Sequence, residues 1–125
     1  VIISHMDHRL AYEDNVEYQK SVAERGPYIA IDNWGGDWYM PYCDWECATD
    51  QRRVEALMDL IDSGYTDKIL LSHDICCKAQ LKKYGGLGFD HLFRNIVPRL
   101  RKKGLSDKII NKIFVENPKE AFQFR

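Results

Sequence analysis

Residues 64–77 read GYTDKILLSHDICC. Gly64 closes an amphipathic run in which Val54, Leu57, Met58 and Ile61 recur at i, i+3, i+4 and i+7, the spacing that gathers apolar side chains on one helix face. Thr49 is placed to cap that helix, with Asp50 in its first turn. Just beyond the glycine, Lys68-Ile69-Leu70-Leu71-Ser72 is a short apolar run, the pattern of a strand covered on both faces. Helix, glycine, buried strand and then the ionisable His73 and Asp74 form one unit of a parallel α/β sheet.

The unit repeats upstream. Residues 13–25 carry Val16, Gln19, Val22 and Ala23, with Tyr12 just before them, on one side at helical spacing, and Gly26-Pro27 ends the run. Tyr28-Ile29-Ala30-Ile31 reads as a strand, and Val1-Ile2-Ile3-Ser4 is a further β-branched run of the kind a sheet buries on both faces. Residues 32–48 form an irregular loop rich in Trp, Gly, Tyr and Asp. Downstream of the polar loop 73–88, a helix carries Phe89, Leu92, Phe93, Ile96, Val97 and Leu100 on one stripe, with Pro98 as a kink and Gly104 as its stop. Ser106 caps a last helix whose Ile109, Ile110, Ile113 and Phe114 face inward, closed by Asn117-Pro118.

Strands alternating with helices predict right-handed βαβ crossovers and a parallel sheet. Three units in 125 residues scale to roughly 330 residues for a closed eight-unit barrel, within the size range of such barrels. Residues 1–125 are therefore expected to be about three-eighths of one barrel. A free-standing three-stranded α/β domain is the alternative, and it would leave two bare sheet edges. The absence of an initiator methionine ahead of a run that already reads as a strand points the same way, to a piece of something longer.

Composition removes several classes. With 18 Lys+Arg against 19 Asp+Glu and 45% hydrophobic residues, the chain is neither disordered nor basic enough for nucleic-acid backbones. Its apolar runs are a few residues long, far below the roughly 20 that span a bilayer. No signal-peptide pattern opens it. Cys43, Cys47, Cys76 and Cys77 show no pairing logic and lack the spacing of a zinc site, so reduced thiols in a cytoplasmic protein are expected.

In barrels the chemistry sits at the carboxyl ends of the strands, which here places His5, Asp32 and Asp74 under scrutiny. A neutral imidazole at His5 suits a divalent metal, and a carboxylate at Asp74 can bind a metal or take a proton. A lone strand-end histidine is nevertheless more often structural, and an aspartate there more often a helix cap. Trp34, Trp38, Tyr39, Tyr42 and Trp45 could line an apolar pocket or serve only to order a long loop. His73 and His91 read as hydrogen-bonded structural residues, and Gly85-Gly86-x-Gly88 is a weak phosphate motif in a loop before a helix.

Five segments add a resemblance: Ser4-His5-Met6-Asp7, GPYIAIDNWG at 26–35, GYTDKILLSHDICC at 64–77, KYGGLGFDHLF at 83–93 and IFVENPKEAF at 113–122. Together, and in this order, they resemble the C-terminal part of the phosphotriesterase family, which includes phosphotriesterase-like lactonases and phosphotriesterase-related proteins. The resemblance implies strands six to eight of a (β/α)8 barrel of the amidohydrolase superfamily. It implies two divalent metal ions, zinc being the usual one, with His5 holding one and Asp74 holding the other and relaying a proton. A metal-bridged hydroxide would then attack an ester, lactone or organophosphate at its carbonyl or phosphorus centre. Asp32, Asn33 and Trp34 fall where the substrate would be bound, although Asn33 stands where lactonases carry arginine and classical phosphotriesterases histidine. The family's HxH pair, bridging lysine or glutamate and strand-five histidine have no counterpart here, so activity belongs to a longer chain, with barrels pairing as homodimers left open. The alternative is a catalytically inactive partial barrel kept as a binding or structural remnant.

Overall fold

A computed structural model describes residues 1–13 and 15–123. Three parallel strands, β1 (Ile2–Ile3), β2 (Tyr28–Ile31) and a later strand at Ile69–Leu71, form one sheet with β2 in the middle. The loop after β2 contributes a small antiparallel pair, β3 (Tyr39–Met40) and β4 (Trp45–Glu46), so the third parallel strand is β5. Ile2 pairs with Tyr28, and Ile29 with Ile69. Helices α1 (Glu17–Ala23) and α2 (Asp50–Asp62) connect the parallel strands, and α3 (Val97–Lys102), α4 (Asp107–Asn111) and α5 (Asn117–Ala121) follow β5.

The alternation of a strand decides what faces what. Ile29, Ile31 and Ile69 turn to one side, into a core shared with Val54, Leu57 and Leu60 of α2, Leu100 of α3 and Ile113. Burying each such side chain stabilises by about 1.5–3 kcal/mol. Ala30 and Leu70 turn to the other side, where with Ile2, Ser4, Asp32 and Ser72 they line a cavity of about 420 Å³. One face packed under helices and the other turned to a cavity is the layering of a barrel wall.

Helix boundaries follow the expected punctuation at α2. Thr49 Oγ1 accepts the Arg52 N–H at 3.3 Å, and past Ser63 the chain turns out at Gly64 with φ +90°, a region glycine enters without a Cβ clash. Elsewhere four expectations change. The helix expected over 13–25 is confined to α1; a 3-10 turn at His8–Ala11 precedes it, Tyr12 is 59% exposed, and Asp14 lies outside the described residues. Val1 and Ile3 are exposed because β1 is the sheet edge and lacks a neighbour on one side. Phe89 and Phe93 also leave the expected stripe for the surface, Phe93 packing on Phe114 at 5.1 Å.

The fourth change concerns the prolines. A π-helical turn occupies Leu92–Ile96 and another Lys112–Glu116, each passing directly into an α-helix with proline at its second residue, Pro98 and Pro118. Proline has no N–H to give and its ring crowds the carbonyl four residues back, so the wider turn before it absorbs the lost bond. Asn117-Pro118 therefore starts α5 where closure of the last helix was expected.

Candidate active site

The chain leaves β1 through His5 and leaves β5 through Asp74, and both adopt left-handed backbone, with φ of 57° and 45°. For residues other than glycine this conformation costs on the order of 1 kcal/mol or more, and it concentrates at functional sites. Among the described residues other than glycine only Asp44, at the turn between β3 and β4, shares it. His5 and Asp74 open onto one cavity of about 550 Å³, walled also by His8, Asn33, Trp38, Cys76, Cys77 and Leu87.

His5 is fixed from behind. Its backbone N–H donates to both Asp32 carboxylate oxygens, at 3.0 and 3.1 Å, and its Nδ1 lies 3.0 Å from Asp32 Oδ1. An ionised carboxylate only accepts, so the imidazole proton belongs on Nδ1 and the Nε2 lone pair is free. Asn33 Nδ2 lies 3.2 Å from both Asp7 Oδ1 and Asp32 Oδ1, which accounts for its two hydrogens and makes its 3.4 Å approach to His5 Nδ1 incidental. Burial pushes the Asp32 carboxyl above its ordinary range, and the His5 backbone N–H and nearby ring pull it back in part. In front, His8 stacks on His5 with ring centroids 4.8 Å apart and planes 2° from parallel. Trp45 packs against His8 at 5.1 Å and Tyr12 at 5.4 Å, while the Glu46 N–H donates to the Tyr12 hydroxyl, docking the β3–β4 hairpin on this corner.

The expected site residues divide. His5, Asp74 and Asn33 reach the larger cavity. Asp32 lies behind His5, on the second cavity. Trp34, expected at the substrate, is 2% exposed and packs in the apolar core of this chain, where its indole N–H has no partner among the described residues. Its backbone N–H donates to the Ser72 carbonyl at 3.4 Å and ties the end of β2 to that of β5. His73 is structural as expected: its Nε2 accepts the Leu92 N–H at 3.1 Å, and burial, with His91 nearby, lowers its pKa.

Sequence reading missed the support beneath the site. Asp7, 0% exposed, accepts from Asp32 N, Asn33 N and Asn33 Nδ2, and pairs with Arg53 Nε at 2.6 Å. Arg53 lies 46 residues away on the first turn of α2, a pairing no local spacing announces.

The donors present suit a metal without completing a site. His5 offers Nε2 with its other nitrogen on a carboxylate, the arrangement that fixes metal-ligating imidazoles. The Asp74 carboxylate accepts no hydrogen bond among the described residues, and its backbone carbonyl takes Gln80 Nε2 at 3.3 Å. No group of three or more His, Cys, Asp or Glu among the described residues is arranged to hold an ion. No described helix is long and apolar enough to cross a membrane.

All four cysteines are free thiols; Cys43, Cys76 and Cys77 are exposed, and Cys47 is buried in the cavity wall with its thiol pushed up by that burial. Since the thiolate is the reactive form, an aromatic disulfide reagent is expected to titrate three thiols of the native chain quickly and the fourth about tenfold more slowly or less. Four equal rates would contradict this placement.

The sequence and the fold have counterparts in known proteins. N-acetyltaurine hydrolase of Danio rerio is 37% identical over 126 residues, covering 99% of this chain and 35% of that protein. A resiniferatoxin-binding protein from Rhodobacter sphaeroides superposes with a TM-score of 0.90 at 35% identity, covering 98% of this chain and 33% of the other. The lactonase Lmo2620 from Listeria monocytogenes gives a TM-score of 0.69 at 31% identity, over 86% and 32% of the two chains. The chain thus spans about a third of the length of the relatives it matches, and its α/β fold is part of their (β/α)8 barrel. The model of the phosphotriesterase family matches residues 1–122, and with that match the strand-end His5 and Asp74 have their setting: the chain belongs to the phosphotriesterase family.

Proposed function

We propose that this chain is the C-terminal portion of one metal-dependent hydrolase barrel that cleaves ester-type bonds of small molecules, lactones or phosphotriesters. His5 would hold one divalent ion through Nε2 and Asp74 the other through its carboxylate, with zinc the expected metal. The remaining ligands would come from the two thirds of the relatives' length to which this chain has no counterpart. The observation that carries the reading is the pairing of His5 and Asp74, which leave the two strands flanking β2 in left-handed backbone and face one cavity.

When bound, such a pair of ions lowers the pKa of water and polarises the bond under attack. The chain's own residues then have separable tasks. Asp32 keeps the His5 proton on Nδ1 and the ring in place. Asp74, whose exposed carboxylate accepts no hydrogen bond among the described residues, would relay the proton. Asn33 has no titratable proton and its amide is committed to Asp7 and Asp32, so it shapes the wall. Trp38 and Leu87 give that wall an apolar surface for the substrate's organic group. The relatives' names include both a lactonase and a hydrolase of an N-acylated amine, so acyl substrates belong in the first panel.

The test uses the full-length protein assayed on esters, lactones, phosphotriesters and N-acyl amines before and after chelation. Hydrolysis is expected to vanish on metal removal and return with zinc, while the 125-residue chain alone binds zinc poorly. A second reading is an inactive partial barrel serving as a binding module. Full-length protein inert toward the whole panel with metal present would establish it, and tight binding of two zinc ions by the isolated chain would contradict the shared site.

A further inference from the structure

We infer that Arg53 is a positioning residue for His5, acting through the turn 32–36; the inference rests on the reading of His5 as a ligand. Four facts carry it. Arg53 is 1% exposed; it holds the turn directly at the Gly36 carbonyl, through Nη1 at 2.9 Å, and indirectly by pairing with Asp7 through Nε at 2.6 Å. Asp7 in turn accepts the backbone N–H groups of Asp32 and Asn33, at 3.4 and 3.2 Å. Asp50, one helical turn before Arg53, accepts from Arg53 Nη1 at 3.1 Å and from the Gly35 N–H at 2.9 Å. Its other oxygen lies 2.5 Å from His91 Nε2, which anchors the same carboxylate to the segment following β5. The first turn of α2 therefore holds Gly35 and Gly36 directly and Asp32 and Asn33 through Asp7, and Asp32 carries the carboxylate that orients the His5 ring.

Little slack remains in the turn. A Cβ on Gly36 would come within 2.7 Å of the Trp38 ring and 2.9 Å of the Asn33 carbonyl. The choice of a buried ion pair is informative for a second reason. Removing Asp7 and Arg53 from water costs most of what their attraction returns, so well-packed apolar residues would serve stability about as well. What the pair supplies beyond packing is direction: short charge-assisted hydrogen bonds fix angles that apolar contacts leave soft.

The experiment reads the His5 ring in the metal-free full-length protein by 15N and 1H NMR of labelled histidine, the signal being assigned by its loss in His5→Gln. Wild type is expected to show His5 protonated at Nδ1 alone. In Arg53→Met the signal shifts toward a mixture of tautomers, and in the zinc-loaded protein kcat on the substrate found by the panel falls about 10- to 100-fold, the usual effect of losing a residue behind a ligand. KM changes less than threefold. Arg53→Lys, which restores the charge but not the fork, recovers part of both. A folded Arg53→Met protein with wild-type His5 signals overturns the inference. Should Arg53→Met fail to fold, Asp50→Asn is read in the same way: a smaller shift of the same sign supports the inference and unchanged signals overturn it. If the His5 signal moves while kcat stays at the wild-type value, the positioning stands and the assignment of His5 as a working ligand is what falls.

Discussion

Asp74→Asn in the full-length protein is expected to lower turnover by about 10³-fold, the middle of the range for loss of a positioned proton-transfer group, and to leave the fold intact. The two side chains are nearly isosteric, and asparagine tolerates left-handed backbone about as well as aspartate, so the φ of 45° brings no new strain. The Asp74 carboxylate accepts no hydrogen bond among the described residues, so its charge can be removed without orphaning a buried donor. Stability should stay within about 0.5 kcal/mol of wild type, as for other exposed substitutions. Kinetics and thermal unfolding on the same preparation check both halves. Turnover close to wild type would sink the assignment of Asp74 to the chemistry.

Trp34→Ala is expected to act in the opposite way, through stability and not through substrate. The indole is 2% exposed within the core, and deleting a side chain of that size there costs about 3–5 kcal/mol. Trp34→Phe should cost much less, because the indole N–H it removes already lacks a partner among the described residues and its burial is a standing penalty. Urea unfolding of the two variants gives the ranking. A raised KM at unchanged stability in Trp34→Ala would return this residue to the substrate-binding role its sequence position suggested.

These two residues also mark how far the sequence could be read. Parallel strands and the placing of β2 and β5 followed from local apolar runs and glycine stops, signals carried within a few residues. That His5 and Asp74 follow strand ends was legible because a strand end is a position along the chain. The burial of Trp34 was not, since three residues beyond a strand the direction of a side chain is set by the turn, and this turn is held by Arg53 of α2 directly and through Asp7. The same holds for Arg53 and Asp50. As residues of an amphipathic helix they look like solvent-facing charges, and only the folded chain brings them to Asp7, Gly35 and His91. The π-helical turns before Pro98 and Pro118 escaped for a related reason: proline announces a break in the hydrogen-bond ladder but not how the neighbouring turn absorbs it.

His5 and Asp74 are proposed as two ligands of a metal centre completed by the rest of a barrel. Anomalous diffraction at the zinc edge from crystals of the zinc-loaded full-length protein tests it most directly. Two peaks are predicted, one within about 2.1 Å of His5 Nε2 and one at a similar distance from the Asp74 carboxylate, the usual zinc–nitrogen and zinc–oxygen lengths. Peaks bound elsewhere, with His5 Nε2 and the Asp74 carboxylate both free of metal, would contradict it.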